Sequence, residues 1–334
     1  MNTIGFVYDS RDEYLAAGFT EEQVAEFDAE DTLHLIESAL TRLGNHVERV
    51  GNGRSLAKRL AGGARWDLVF SIAEGVKDRS REAQVPAVCE LFDQPYVFSD
   101  PLTMAVTLDK AVAKRIVRDS GIATAPFLVM ETGAEDLSAW RHYPAFIKPL
   151  AEGTGKGCER ASLVENENAL RHAARALVQR FHQPALVEAY LPGREFTVGV
   201  VGRGAGAHVI GIMEVSVNKN AEAGVYSFNN KELCEQLVQY SRPTDPEALR
   251  AGDVALAAYR ALDCRDAGRV DLRSDANGEP VFLEINPIAG LHPTHSDLPI
   301  LASQNGISFD DLLRMIVDEA RARYQSPQGL QANA

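Results

Sequence analysis

Cysteine is scarce in this chain of 334 residues, and its four cysteines stand apart without a CxxC pair. Zinc sites and disulfide frameworks depend on paired or closely spaced cysteines, so the spacing argues against both. It is typical of a protein whose thiols stay reduced, and we therefore expect a cytoplasmic location.

Long apolar runs are also missing. The most apolar stretch, residues 196–213, is interrupted by Gly202-Arg203-Gly204, so it predicts two strands and a turn instead of a membrane span. The first residues lack a basic segment and carry only a short apolar run, so no signal peptide is predicted. We expect no contact with a membrane.

Basic side chains are fewer than acidic ones, 34 against 47, which gives a net charge of −13. A DNA or RNA partner needs a basic surface, so this balance argues against nucleic acid binding. It does not exclude small anions, because lysines and backbone N–H groups can bind phosphate inside an acidic protein.

The order of the sequence patterns predicts three structural parts. Strand-like segments alternate with helical ones up to about residue 100, which is typical of a doubly wound parallel sheet. The stretch 218–230 has no clear periodicity, and a loop of that length is usually functional. The predicted boundaries are 1–100 for an N-terminal α/β domain, 101–187 for a small central domain, 188–325 for a C-terminal α+β domain, and 326–334 for a frayed tail.

The segment 268–286 carries the clearest chemical pattern. An Asn-Gly pair at 277–278 separates two strand-like runs, which is the strongest short signal for a hairpin. Pairing around that turn places Asp271 opposite Glu284, and Asn286 projects from the same face because side chains alternate. Opposed carboxylates repel each other, so a cation between them is expected. An all-oxygen set suits Mg²⁺ bound together with substrate phosphates.

The alternative is a solvated hairpin whose acids are coincidental, and a bulge would change the register. We favour the metal site because Leu283 and Ile285 alternate as the expected core-facing side of the same strand.

Phosphate groups would also need cations and N–H donors. Lys148 ends an apolar strand pattern, and a glycine-rich segment follows it, with Gly153, Thr154, Gly155 and Gly157. Such a backbone can close over an anion, although a glycine-rich segment alone is more often a plain turn. The Walker loop and the Rossmann glycine fingerprint are both absent from the sequence.

In combination, these motifs resemble the ATP-grasp superfamily, and within it the D-alanine–D-alanine ligase family. The resemblance rests on Lys148-Pro149 before the glycine-rich segment, on Val187-Glu188 followed by Gly193-Arg194-Glu195, and on the hairpin 268–286. It implies an ATP-grasp fold, α/β and α+β, preceded by a doubly wound N-terminal domain. It also implies a homodimer and an ADP-forming ligase, in which ATP activates a carboxylate as an acyl phosphate and an amine then attacks it.

The resemblance also implies roles for single residues on the nucleotide side. Lys110 shares a helix face with Lys114, and a solvated lysine pair would show the same spacing. The family's nucleotide contacts match Lys110 and Lys148 for the phosphates, Glu188, Ala189 and Leu191 for adenine, Glu195 for the ribose, and Lys231 for the γ-phosphate. Tyr226 keeps the spacing of the mobile loop that carries Lys231.

For the reaction itself, the resemblance matches Asp271, Glu284 and Asn286 with the Mg²⁺ ligands, and Mn²⁺ could replace that ion. It matches Arg269 and the backbone N–H of Gly290 with the donors that stabilise the tetrahedral intermediate. Preorganised donors of this kind have the largest effect on rate where charge develops.

The amino-acid side departs from the family pattern. The usual glycine turn and glutamate are replaced by residues 8–13, where either Asp9 or Asp12 could hold a substrate ammonium. Glu74 is followed by Arg79 and Arg81 in place of an acidic stretch. These arginines suggest either a substrate with an extra carboxylate or a local network of salt bridges.

The loop after Asn286 lies near the acceptor substrate in the family. His295 and Ser296 could orient a substrate carboxylate there, or belong to a plain loop. We predict the joining of two amino acids, or of an amino acid and a peptide. D-alanine–D-alanine ligation itself is the first alternative. A non-catalytic nucleotide-binding module is another, against which the intact metal set argues.

Overall fold

The computed structural model describes residues 2–153, 155–158, 160–217 and 238–325. Thr154, Tyr226, Lys231, the loop 218–230 and the tail 326–334 lie outside the described residues. In the described part, the strands form three sheets that follow one another along the chain. The domain boundaries at 100 and 187 stay predictions.

The N-terminal sheet is parallel and has the strand order β2-β1-β3, as the alternating pattern predicts. Its strands are β1 Thr3–Val7, β2 His46–Gly51 and β3 Leu68–Ser71, and its helices are Arg11–Ala16, Glu30–Arg42, Gly53–Ala61 and Gln84–Leu91. A Cβ on Gly5 would lie 2.7 Å from the Trp66 ring. The close packing of Trp66 on β1 therefore requires glycine at that position.

The central sheet is antiparallel and has the order β4-β7-β5-β6. Its strands are β4 Phe127–Met130, β5 Ala145–Pro149, β6 Leu163–Val164 and β7 Ala185–Ala189. The helices Pro101–Leu108 and Lys110–Asp119 lead into it, and Glu167–Phe181 packs on it through Leu170 and Ala174. Asp109 begins the second of these helices by accepting a hydrogen bond from Val112 N at 3.0 Å, so Lys110 stands at its first turn.

The C-terminal sheet has the order β10-β9-β8-β11-β12. Its strands are β8 Glu195–Val201, β9 His208–Val217, β10 Val238–Ser241, β11 Ala267–Ser274 and β12 Pro280–Asn286, and the helices of this part are Pro246–Ala261, Asp297–Gln304 and Phe309–Gln325. The β8–β9 hairpin confirms the two strands predicted around Gly202.

The N-terminal and C-terminal parts share one hydrophobic core. It joins Ile4 and Phe6 of β1 to Leu301 and Leu313 of the last two helices. A site that draws on both parts therefore rests on a continuous packed body. Across the described ranges, no helix is both long and apolar enough to cross a membrane.

The β11–β12 hairpin reaches its predicted pairing by an unpredicted route. Asp271 lies opposite Glu284, but the pairs nearest the turn are in a different register, and the register changes between Asp271 and Leu272. The predicted two-residue turn at 277–278 is therefore wrong: the turn is the longer loop 275–279, closed by a hydrogen bond from Asp275 N to Glu279 O at 2.9 Å. A one-residue bulge at Leu283 compensates for this difference.

The bulge also corrects the expected facing of the strand. Phe282 enters the core and is 0% exposed, whereas Leu283 is only partly buried. Leu283 and Glu284 line the same cavity, because the two residues of a bulge oppose a single partner residue. Leu283 is therefore not on the core-facing side, although Ile285 is, with 3% exposure.

Candidate active site

Two cavities lie along one face of the β11–β12 hairpin. We call the first the cleft: it is lined by Lys110, Phe146, Lys148, Glu152, Gly155, Lys156, Glu188, Ala189, Leu191, Glu195, Asp271, Arg273, Leu283 and Glu284. We call the second the chamber, a cavity of about 490 Å³ lined by residues of the N-terminal part together with Arg269, Asn286, Gly290, His295, Ser296 and Asp297.

The two cavities are adjacent because same-face positions on a strand recur every second residue. The cross-strand pair of Asp271 and Glu284 borders the cleft. The next pair on that face, Arg269 with Asn286, borders the chamber. A group held at this face therefore lies at the border of both cavities.

A chain of alternating charges runs through the cleft. Glu188 accepts from Lys114 Nζ at 2.6 Å and from Lys148 Nζ at 3.1 Å. Lys148 Nζ also lies 3.3 Å from Glu284 Oε2, and Lys110 Nζ lies 3.7 Å from the same oxygen. Three lysines thus share two carboxylates, so this set of five side chains carries one net positive charge.

Burial and pairing compete at each of these groups. Burial acts to raise the pKa of Glu188, but Lys114 and Lys148 outweigh it and hold that pKa below its ordinary value. Burial lowers the pKa of Lys114 even though Glu188 favours its charged form. For Lys148, burial is outweighed by Glu188 and Glu284, so its pKa is raised and its charge is secure at neutral pH.

Asp271 is held in place from several sides. Thr197 Oγ1 donates to its Oδ1 at 2.9 Å, and Arg269 Nη2 approaches its Oδ2 at 3.0 Å. Asn286 Nδ2 lies 3.4 Å from the same Oδ2. Arg269 also lies 3.5 Å from Asp297 Oδ2, so two acids position its guanidinium.

The oxygens of Asp271, Glu284 and Asn286 suit a hard divalent cation, which takes one or two carboxylates and completes its shell with water or phosphate oxygens. Within the described ranges, no group of three or more His, Cys, Asp or Glu residues forms a metal site. A cation here would therefore depend on the amide oxygen of Asn286 and on substrate oxygens.

The glycine-rich segment is fastened to the N-terminal part of the chain. The Gly153 N–H donates to Glu26 Oε1, and Arg81 Nη1 donates to Ala151 O at 2.9 Å. Glu26 and Arg81 pair with each other at 2.9 Å. Gly155 and Gly157 adopt positive φ angles of 71° and 73°, a conformation that favours glycine.

Comparison with known proteins decides the family. The family model described as D-ala D-ala ligase C-terminus matches residues 116–318. The D-alanine–D-alanine ligase of Bordetella petrii is 32% identical over 299 residues, which cover 87% of each chain. This chain belongs to the D-alanine–D-alanine ligase family. The ligase is also 35% identical over 260 residues to the uncharacterized protein y4sG of Sinorhizobium fredii, covering 77% of this chain and 75% of that one.

The fold of the ligase agrees with a solved family structure. The D-alanine–D-alanine ligase from Bacillus anthracis complexed with ATP superposes with a TM-score of 0.75 at 20% identity, covering 97% of this chain and 99% of that one. The predicted ATP-grasp fold class is confirmed, and so is the enzyme class, an ATP-dependent ligase of the D-alanine–D-alanine ligase type.

The segment 188–191, which the resemblance matches with the adenine contacts, engages part of its polar groups within the protein. The carboxylate of Glu188 is occupied by two lysines, and the N–H of Ala189 donates to Pro126 O at 2.9 Å. A base in this cleft would therefore meet the remaining backbone groups of the segment, together with the apolar walls from Leu191 and Leu283. Lys114, which the sequence could not separate from a solvated lysine, is 0% exposed.

On the amino-acid side, the predicted acids lie elsewhere. Asp9 is buried and accepts from Tyr14 Oη at 2.9 Å and from Gly75 N at 2.8 Å, so it holds the local structure together. Asp12 is exposed on the first helix. Neither lines the chamber. The N-terminal acids that do are Glu26, Asp28, Asp31, Glu74 and Glu82, and no sequence motif marks the first three.

The two arginines of this side have separate surroundings. Arg79 lines neither cavity: its side chain is 75% exposed and pairs with Asp109 at 2.5 Å. Arg81 is buried against Glu26. The structure therefore favours a local salt-bridge network over recognition of an extra substrate carboxylate. Glu74 does line the chamber.

The loop after Asn286 closes the other side of the chamber. A Cβ on Gly290 would lie 2.8 Å from Ser296 Oγ, and Ser296 Oγ accepts from His292 N at 3.0 Å. His292 lies 3.4 Å from Asp31. Glycine is thus needed at 290 for the loop to fold back, which brings its backbone to the chamber wall.

Proposed function

We propose that this ligase joins the carboxylate of one amino acid to the amine of a second amino acid or of a peptide, with ATP converted to ADP and phosphate. The observation that carries the proposal is the single hairpin face that borders both cavities. A phosphoryl group at this face can be reached from a nucleotide in the cleft and from a carboxylate in the chamber.

The proposed chemistry has two steps. A carboxylate oxygen attacks the γ-phosphorus, the bond to the β-phosphate bridging oxygen breaks, and ADP leaves with that electron pair. The amine nitrogen then attacks the acyl carbon, phosphate leaves, and the nitrogen loses a proton. Both steps accumulate negative charge on oxygen, so fixed cations and N–H donors would provide most of the rate enhancement.

Lys110 and Lys148 are proposed to hold the nucleotide phosphates, because both bring positive charge to the cleft. Arg269 and the Gly290 N–H are proposed to stabilise the acyl oxygen from the chamber. Burial is outweighed at Arg269 by Asp271 and Asp297, which raise its pKa and keep it charged. Lys231, which lies outside the described residues, is proposed to reach the γ-phosphate, as the resemblance implies.

Asp271, Glu284 and Asn286 are proposed to hold Mg²⁺, or Mn²⁺ in its place, because their oxygens suit such an ion. When bound, the ion would supply further neutralisation of phosphate charge. The cleft encloses about 100 Å³, less than the roughly 300–1,000 Å³ of pockets for drug-sized ligands. A nucleotide would therefore require the glycine-rich segment to move outward from its contacts with Glu26 and Arg81.

The test is ADP release with ATP, Mg²⁺ and a broad panel of D- and L-amino acids, followed by the mass of the product. We expect amino-acid-dependent turnover that falls more than 100-fold in Glu284→Gln. The matched control is Glu279→Gln on the same hairpin, whose side chain is 61% exposed and which should retain wild-type turnover. Absence of turnover across the whole panel would refute the proposal and leave a non-catalytic nucleotide-binding module.

D-alanine–D-alanine ligation is the second candidate, and the name of the Bordetella petrii relative favours it. D-alanine as the sole amino acid would then support turnover as fast as any pair in the panel. A rate well below that of the best pair would exclude it as the main activity.

We also propose a homodimer in the cytoplasm without nucleic acid or membrane partners. The net charge of −13 supports the absence of nucleic acid, and the dimer rests on the family resemblance. Light scattering of the purified protein would test the dimer directly.

A further inference from the structure

The N-terminal wall of the chamber carries more acids than cations. Glu26, Asp28, Glu74 and Glu82 all line it. Glu26 is paired with Arg81, but among the described residues no ion pair reaches Asp28, Glu74 or Glu82. Glu74 and Glu82 are hydrogen-bonded to each other. Arg81 partly offsets the charges of Glu74 and Glu82 but is itself paired with Glu26. Three carboxyl groups therefore face one cavity with no ion pair of their own among the described residues.

Their surroundings make these carboxyl groups costly to ionise. Burial raises the pKa of Asp28 to about 7, and Asp9 and Asp31 add to the effect. Burial likewise raises the pKa of Glu82 to about 7, against the influence of Arg81, and it raises that of Glu74 well above its ordinary value. A cationic ligand would relieve this cost, because an opposite charge favours the ionised form.

The wall of the chamber next to the cleft carries a cation. Arg269 and the backbone of Gly290 line it, and Arg269 is positioned there by Asp271 and Asp297. A substrate lying along the chamber would thus place its carboxylate toward the hairpin and its positive groups toward the N-terminal wall. One α-ammonium needs a single carboxylate partner, whereas the N-terminal wall presents Asp28 as well as the Glu74–Glu82 pair.

We propose that the amino acid bound in the chamber carries a second cationic group besides its α-ammonium, as a diamino or guanidino amino acid does. Asp28 and the Glu74–Glu82 pair hold its two positive groups. This inference rests on the ligase function proposed above and adds the class of the substrate.

The alternative of an acidic substrate would have to rely on few cations at this wall. Arg79 lies outside the chamber, and Arg81 is engaged by Glu26 and by the carbonyl of Ala151. Arg11, which does line the chamber, lies 3.8 Å from the exposed carboxylate of Glu21, and its Nε has no hydrogen-bond partner among the described residues. A substrate with a second carboxylate would therefore meet one loosely paired cation beside Asp28, Glu74 and Glu82, whose ionised forms repel it.

The first test compares substrates of matched shape in the ADP-release assay, in both chiralities. Lysine is compared with norleucine and arginine with citrulline, and ornithine, diaminopropionate, alanine and glutamate complete the set. We expect the cationic member of at least one matched pair to have a kcat/KM about 100-fold above its neutral partner. No variant is needed, so folding defects cannot obscure the result.

The second test uses Asp28→Asn and Glu82→Gln, with Asp12→Asn on the exposed helix as the control. The variant at the residue that holds the side-chain cation should raise KM for the cationic substrate 10-fold or more, with a change below 3-fold in kcat/KM for the neutral partner. The variant at the residue that holds the shared α-ammonium should weaken both substrates, and the control should match wild type for both. Equal effects on both substrates in both chamber variants would indicate a merely structural role and would overturn the inference.

The two proposals fail in distinguishable ways. Turnover that is equal or faster with neutral or acidic amino acids refutes the cationic substrate and leaves the ligase function intact. Absence of turnover with every amino acid refutes both.

Discussion

The buried ion pair between Lys114 and Glu188 allows a quantitative prediction about stability. Lys114 is 0% exposed, and its other polar contact is the Phe282 carbonyl at 3.3 Å. Glu188→Gln removes the charge that neutralises Lys114 at 2.6 Å. Removing one partner of a buried pair costs about 3–5 kcal/mol, because the other charge stays buried and uncompensated. We expect that loss in the free energy of unfolding.

The reverse substitution should cost less. Lys114→Met leaves Glu188 with Lys148 at 3.1 Å, so no charge is orphaned, and about 1–2 kcal/mol is expected from lost contacts. The double variant should be more stable than Glu188→Gln alone by about 1–3 kcal/mol, since neither charge then remains. The two substitutions are therefore strongly non-additive.

Urea unfolding of the ligand-free protein at pH 7, followed by circular dichroism, measures all three variants. Glu167→Gln is the control, because it breaks an exposed i,i+4 pair with Arg171 at 2.8 Å and should cost no more than about 0.5 kcal/mol. A Glu188→Gln variant within about 1 kcal/mol of wild type, or a double variant whose loss equals the sum of the single losses, would refute the idea that Glu188 neutralises a buried Lys114.

Three further predictions concern the two cavities. Asp28→Asn should stabilise the protein at pH 8 by up to about 4 kcal/mol and have no effect at pH 4. The pKa of Asp28 is raised from 3.8 to about 7, so between these pH values the folded state keeps a proton that the unfolded chain releases. Wild-type stability therefore falls as pH rises through this range, and the substitution removes that loss. Thermal unfolding at the two pH values measures the difference. Leu283→Ala should weaken ATP binding about 5–20-fold in calorimetry, because it removes an apolar wall of the cleft. Arg79→Ala should change kcat/KM less than 2-fold, because Arg79 lines neither cavity.

Opposite results would be equally informative. A stability gain at pH 8 that persists at pH 4 would show that the Asp28 charge is not its cause. Unchanged ATP affinity in Leu283→Ala would place the base elsewhere. A large loss of activity in Arg79→Ala would restore the alternative of an extra substrate carboxylate.

The hairpin shows which features of the site can be predicted from the sequence and why others cannot. The opposition of Asp271 and Glu284 follows from strand alternation near the site, and the structure confirms it. The predicted two-residue turn is wrong, and the bulge that compensates for it is tertiary in origin: the Phe282 N–H donates to Ala123 O at 3.0 Å, outside the hairpin. No local pattern contains that hydrogen bond.

The same limit applies to single charges. The spacing of Lys110 and Lys114 predicts that they share a helix face, but only Glu188, far along the chain, distinguishes a buried cation from a solvated one. Asp28 has no motif around it at all. Asp28 becomes part of the chamber wall only because the folded chain brings the N-terminal segment to the same cavity as Arg269 and Gly290.

The bulge at Leu283 affects which ligands the cleft can distinguish. A regular strand presents same-face side chains roughly 6.6–6.8 Å apart, with a residue of the opposite face between them. Here two consecutive residues, one aliphatic and one acidic, border the same cavity. The wall of the cleft therefore changes from apolar to charged between two consecutive residues of the strand. Ligands in which a flat apolar ring adjoins a charged tail match that abrupt boundary, whereas uniformly apolar or uniformly polar molecules do not.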